Sequence, residues 1–308
     1  LKWLWTSIRA ILIVSLIVIS GCSSSTTNSK SSGTLKVTAT TGMIADLVQH
    51  VGGKHVQVTA LMGPGVDPHL YKASQGDIEK LDQAHVAFYN GLHLEGKMTD
   101  IFTKMARSKP VIPVADGIDK KKIIETKDGQ YDPHIWFDVK LWIQAAGQVK
   151  KGLIEVDPQH KNDYEAQATA YIKQLEELDQ YARTQLSSIP KEQRVLVTAH
   201  DAFSYFGRAY DLEVVGLQGI NTSSEYGLKD VQRMVNLLTE RKIKAVFVES
   251  SVPKRSIEAV IAGAKSKNHQ VSIGGELFSD AMGEKGTPEG TYIGMVHHNV
   301  DTIVKALK

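Results

Sequence analysis

Apolar residues recur in two rhythms along this chain, and the rhythms alternate. The runs LKVTAT (35–40), VQVTAL (56–61), HVAFY (85–89) and VIPV (111–114) are short and rich in β-branched and aromatic residues, as buried strands are. Between them the apolar positions move to helical spacing. Ile44, Leu47, Val48 and Val51 share one helix face, which Gly52-Gly53 brings to an end. Ser74 with Asp77 forms the pattern of a capping box and predicts a helix through Leu81, and a further helix is expected over 97–107. Strands separated by helices predict parallel βαβ units.

A second series begins late in the chain. VLVTAH (195–200), LEVVGL (212–217), KAVFVE (244–249) and QVSIG (270–274) read as strands, and Leu228, Val231, Val235 and Leu238 mark one face of a helix among them. Residues 157–190 separate the two series, with no glycine and with proline only near the two ends. That composition predicts one long helix, with Ala166, Ala170, Ile172, Leu175 and Leu178 as its packed face. The expected fold class is therefore α/β: two parallel-sheet lobes, 34–156 and 190–308, joined by one long rigid helix over 157–189.

The first residues follow neither rhythm. Lys2 and Arg9 precede a largely apolar run, Ala10–Ile19, too short to span a bilayer as a helix, and Ser20-Gly21-Cys22 follows. Residues 1–21 are read as a signal peptide. ISGC resembles a bacterial lipobox, although Ile19 stands where leucine is usual, and Leu1 is taken for an unusual start. The resemblance implies lipidation of Cys22 and anchoring to the outer face of the cytoplasmic membrane. Residues 22–33, Ser/Thr-rich after the cysteine, then form a flexible tether. Cys22 is the only cysteine, so no disulfide is available. Without the leader the chain holds 34 basic and 34 acidic residues, a balance that gives it no electrostatic reason to bind nucleic acid.

Eleven histidines are present, and three stand apart. His69 and His134 each end an Asp-Pro-His tripeptide, Asp67-Pro68-His69 and Asp132-Pro133-His134, and His200 ends a strand. Ligands of open α/β sheets bind beyond the carboxyl ends of strands. Proline fixes the backbone ahead of each imidazole and reduces the entropy lost when the ring is held. The neighbouring aspartate can orient the ring or bond nearby backbone. Imidazole is the commonest metal ligand, and a carboxylate such as Asp280, after the last strand, supplies the negative charge a divalent ion needs.

DPHLYKAS, NGLHLEGKM, DPHIWFD, TAHDAFSYFGRAYDLEVVGLQGI, VFVESSVP and GGELFSDAMG, in this order and spacing, resemble the metal-binding receptor lipoproteins of ABC transporters, the cluster A-I group that handles manganese and zinc. The resemblance extends over essentially the whole mature chain. It implies one metal ion as cargo in the cleft between the lobes, with His69, His134, His200 and Asp280 at the family's ligand positions. It also implies delivery to a permease with a separate ATPase subunit, no catalysis by this chain, and a monomer. Many manganese members have glutamate where His200 stands. Zinc members commonly carry a His-rich acidic loop, whereas DKKKIIETKDGQY before the second tripeptide has no histidine, so Mn²⁺ is favoured and a zinc-specific receptor is the alternative.

Other motifs in the chain fit their chemistry less well. GLHLEGKM has glycine and lysine at P-loop spacing, but Met98 replaces the hydroxyl that holds Mg²⁺. His93-Leu94-Glu95 opens like a zinc-deaminase motif, whose second half a single cysteine cannot supply. A secreted zinc metallohydrolase would use the three histidines as ligands, leave a position open for water, and take Glu249 as base. The four protein ligands that the resemblance implies count against it.

Overall fold

A computed structural model describes residues 33–126 and 129–308. The leader, Cys22 and all but the last residue of the tether lie outside the described residues. Residues 34–308 form one compact unit.

Its first half holds a four-stranded parallel sheet. The strands are β1 (Leu35–Ala39), β2 (Val56–Ala60), β3 (Val86–Tyr89) and β4 (Val111–Pro113), in the order β2-β1-β3-β4. Three helices make the crossovers that parallel pairing requires: α1 (Gly42–Gly52), α2 (Gln75–Gln83) and α3 (Thr99–Met105). The Thr41 hydroxyl accepts the Ile44 N–H at the start of α1, and Gly53, at φ 56°, ends it. Ser74 and Asp77 form the expected reciprocal capping box on α2.

Two further helices follow, α4 (Val139–Val156) and α5 (Lys161–Ser187), and α5 is the long connector. Its buried stripe differs from the expected one. Tyr164, Ala168, Tyr171, Leu175, Leu178, Ala182 and Leu186 face inward, while Ala166 and Ala170 are exposed and Ile172 is half-buried. The packed face uses two tyrosines whose hydroxyls bond to carboxylates, Tyr164 to Asp157 and Tyr171 to Asp46. A count of aliphatic positions alone therefore rotates the stripe.

The second half pairs β5 (Val195–His200) with β6 (Glu213–Gln218) and β7 (Ala245–Glu249) with β8 (Ser272–Leu277), both in parallel, and β5 lies beside β7. Helices α6 (Ser204–Tyr210), α7 (Leu228–Glu240), α8 (Arg255–Ser266) and α9 (Tyr292–Leu307) complete it. The last strand starts two residues later than the sequence suggests and continues through Gly274-Gly275 to Leu277. Both glycines let α9 and β7 approach bare backbone: a Cβ at Gly274 would lie 2.7 Å from that of Ala306, and one at Gly275 would lie 2.3 Å from the Thr302 methyl. On α7 the buried residues are Met234, Val235 and Leu238, whereas Leu228, expected on that face, is 90% exposed at the first turn.

One continuous set of buried side chains passes from Val37 and Leu47 under the first sheet, through Trp136, Trp142 and Tyr171, to Leu196, Phe247 and Tyr292. The two halves are thus welded along α5 and α9, and they face each other at the carboxyl ends of their strands.

Candidate metal centre

The strand ends set the site. His69 lies in the loop between β2 and α2, His200 is the last residue of β5, and Asp280 follows β8. His134 precedes a single 3-10 turn, Ile135–Phe137, which Asp138 converts into α4 by accepting the Lys140 N–H at 3.0 Å. These four residues, far apart in sequence, place one ligating atom each within 4.8 Å of one another. His69 Nε2 and His134 Nε2 are 3.3 Å apart. Asp280 Oδ1 lies 3.4 Å from His134 Nε2, and its Oδ2 lies 3.3 Å from His200 Nε2 and 3.7 Å from His69 Nε2. None of the four is more than 3% exposed.

Buried polar atoms are nearly always hydrogen-bonded. Here His200 Nε2 and both Asp280 oxygens have no hydrogen-bond partner among the described residues. Three imidazole nitrogens and a carboxylate converging without other partners are a donor set for a divalent cation, borderline-soft nitrogen with one hard anionic oxygen.

Two of the imidazoles are braced from behind. Asp132 Oδ1 lies 2.7 Å from His134 Nδ1 and also accepts the His134 backbone N–H. Glu249, at the end of β7, does the same for His200, with Oε2 at 2.5 Å from Nδ1 and Oε1 accepting the backbone N–H at 2.9 Å. Such partners fix the tautomer, so that Nε2 is left to face the site. His69 is held differently. Asp67 accepts its backbone N–H at 2.8 Å and the Thr222 hydroxyl at 2.6 Å, while the ring Nδ1 has no partner among the described residues. The two Asp-Pro-His tripeptides therefore share the backbone bond and differ at the ring.

Electrostatics follow from this bracing. Burial lowers the His69 imidazole to about 3, against the pull of Asp280. For His134 burial works in the same direction, but Asp132 and Asp280 outweigh it and push the imidazole up to about 9. His200 is raised well above its ordinary value, with Glu249 and Asp280 overcoming burial. Asp280, despite burial, is held well below the usual carboxylate range by His200, His134 and His69.

Glu249 was singled out in the sequence as the base of a hydrolase. Its carboxylate instead clamps His200 at both backbone and ring. Trp136 and Phe137 are core residues, 1% and 2% exposed, and Trp136 also stands edge-on to the His134 ring at 5.3 Å. The GLHLEGKM segment is a tight turn whose Glu95 carboxylate accepts the Asn90 and Gly91 N–H groups and the Thr40 hydroxyl. Sequence reasoning missed the bracing role of Glu249, the Asp67–Thr222 bond, and the stacking of His55 on His160 at 3.8 Å, each ring bonded to an aspartate. The sequence marks Glu249 only as a strand-terminal carboxylate; that its strand lies beside that of His200 is a property of the fold.

Fold and site together define a class: a two-lobed α/β solute receptor whose cargo is a divalent metal ion. Residues 37–306 match the model of the family described as zinc-uptake complex component A, periplasmic (ZnuA), and the chain belongs to that family. It is 52% identical over 302 residues to the manganese-binding lipoprotein MntA of Bacillus subtilis, spanning 98% of this chain and 99% of that protein. It is 48% identical over 271 residues to the zinc-binding protein TroA of Treponema pallidum, spanning 88% of each. The solved structure of that periplasmic zinc-binding protein superposes with a TM-score of 0.88 over 89% of this chain and 99% of the other. The family is described by metal uptake, and both relatives are named for binding a divalent metal. Among the described residues no helix is long and apolar enough to cross a membrane.

Proposed function

We propose that this chain captures Mn²⁺ outside the cytoplasmic membrane and presents it to an ABC permease driven by a separate ATPase subunit. The observation that carries the reading is the buried convergence of His69, His134, His200 and Asp280 on one point. In this reading those four side chains replace the water shell of the ion, and Asp132 and Glu249 hold two of the rings in register. The chain acts as a monomer, tethered through lipid on Cys22, and performs no chemistry on its cargo.

The relative at 52% identity is named for manganese and the one at 48% for zinc, so the cargo is the point at issue. A second reading, zinc uptake, is favoured by the three imidazoles, because the Irving–Williams order places Zn²⁺ far above Mn²⁺ at such a site. Affinity rank alone does not choose a cargo.

Calorimetric titration of the metal-stripped chain, residues 23–308, with Mn²⁺ and separately with Zn²⁺ tests both. One tight Mn²⁺ site is expected, even where zinc competes better. Tight zinc with negligible manganese binding moves the function to zinc uptake, and no stoichiometric binding of either metal removes the receptor reading.

A further inference from the structure

The segment from Asn90 to Glu95 plays no part in the site described above, yet its backbone is unusual. Gly91, Leu92 and His93 follow one another at φ 85°, 52° and 64°. Left-handed conformations are costly for residues with a side chain and normally occur singly. Such strain persists only where the surroundings over-determine it. Here Glu95 gathers the Asn90 and Gly91 N–H groups, and the Asn90 amide donates to the carbonyl of Pro133, the residue before His134, at 2.9 Å. The turn is thereby fixed to the metal-ligand loop.

Its outcome is the placement of His93. The side chain is exposed and stands in the wall of a cavity of about 510 Å³ that is also lined by His69, Tyr131, Pro133 and Asn221. His69 is 3% exposed and belongs to both this cavity and the buried cluster. A second cavity, of about 360 Å³, reaches Asp280. It is walled by Met62, Ala281 and Met282, carries Lys285 and Asp46 with opposite charges, and contains no imidazole that could take over a water of the ion.

We propose that the cavity shared by His93 and His69 is the entry route for the ion, with His93 as a transit ligand. A hydrated divalent cation exchanges one water for the His93 imidazole and a second for His69. It then moves inward to His134, His200 and Asp280, leaving His93 behind. This inference rests on the receptor reading. A transit ligand lowers the barrier in both directions and does not change the stability of the final complex.

The test is stopped-flow mixing of the metal-stripped chain with Mn²⁺, followed through tryptophan emission, since Trp136 lies 5.3 Å from the His134 ring. His93→Asn removes the imidazole and keeps a residue that tolerates positive φ, and His93→Gly relieves the strain altogether. In both variants the association rate is expected to fall by about tenfold, and the dissociation rate with it, leaving the equilibrium affinity within about twofold. An unchanged association rate in either variant overturns the proposal. So does a loss of equilibrium affinity beyond that margin, which would make His93 a ligand of the final site or a requirement of the fold. A wild-type chain that binds no metal would instead defeat the receptor reading itself.

Discussion

At the scale of single residues, the carboxylates that brace His134 and His200, together with Asp280, favour the protonated imidazoles. Both imidazoles have folded values raised above the ordinary one, His134 to about 9. Their protons therefore stabilise the metal-free fold below the unfolded pKa, and that contribution is lost as pH rises through the folded pKa. A metal ion takes the place of those protons, so capture releases protons and weakens as pH falls, on the order of tenfold per unit for each proton displaced. Titrations between about pH 7.5 and pH 5 should show this, and an affinity flat across that span would speak against imidazole ligation. His69, already neutral through burial, adds nothing to the slope. Glu249→Gln keeps a hydrogen-bond acceptor but removes the charge behind His200, and should cost roughly 10–100-fold in metal affinity. His200→Ala should lose most of the affinity while the chain stays folded. Equal affinity in Glu249→Gln and wild type would leave the carboxylate a purely structural group.

Secondary elements show where the sequence was legible and where it was not. The strands over 35–39, 195–200 and 245–249 stand close to where apolar runs put them, because buried parallel strands need little but apolar residues on both faces, and the edge strand over 56–60, though largely exposed, is marked by its alternating valines. β8 was misplaced because its path depends on glycines that make room for α9, a requirement set by a neighbour and invisible in the local pattern. The face of α5 was rotated because tyrosines with carboxylate partners can be buried as readily as leucines. Three of the four converging residues were legible because repeated Asp-Pro-His and strand-terminal histidine are local features, whereas Asp280 was singled out through the family resemblance. Their bracing was not legible, since it depends on which strand ends are neighbours. The capping box of α2 belongs to the legible class and is testable in isolation. The Asp77 carboxylate accepts from the Ser74 hydroxyl and backbone, from Tyr71 and from Lys80. Ser74→Ala should lower stability by about 1 kcal/mol in urea titration with metal affinity unchanged. A change below the error of that titration would show that Asp77 alone sustains the helix start.

Over the whole molecule, the shared core restricts how the receptor can work. The Trp136 indole N–H donates to the Ser279 carbonyl at 3.0 Å, the Tyr292 hydroxyl donates to the Trp136 carbonyl at 2.7 Å, and the Tyr205 hydroxyl donates to the Asp132 carbonyl at 2.9 Å. Each bond joins the first half to the second beside a metal-binding loop. Wide separation of the lobes would break these bonds and expose Trp136 and Tyr292, both within the continuous core. Cargo exchange is therefore expected to work through the loops at the mouth, those of His69, His93 and Thr222, with the lobes nearly fixed. Two smaller buried clusters lie one in each half, but the largest spans both, so the molecule should unfold as one. Calorimetry of the metal-stripped chain should give a single transition, and Trp136→Ala, by opening a large cavity between the halves, should destabilise it by about 3–5 kcal/mol without splitting it. Metal at about 1,000 times its dissociation constant should add about 4 kcal/mol to the same transition, by linkage to the folded state alone. Two resolved transitions, with only one moved by metal, would mean that the halves fold independently and that the interface can open.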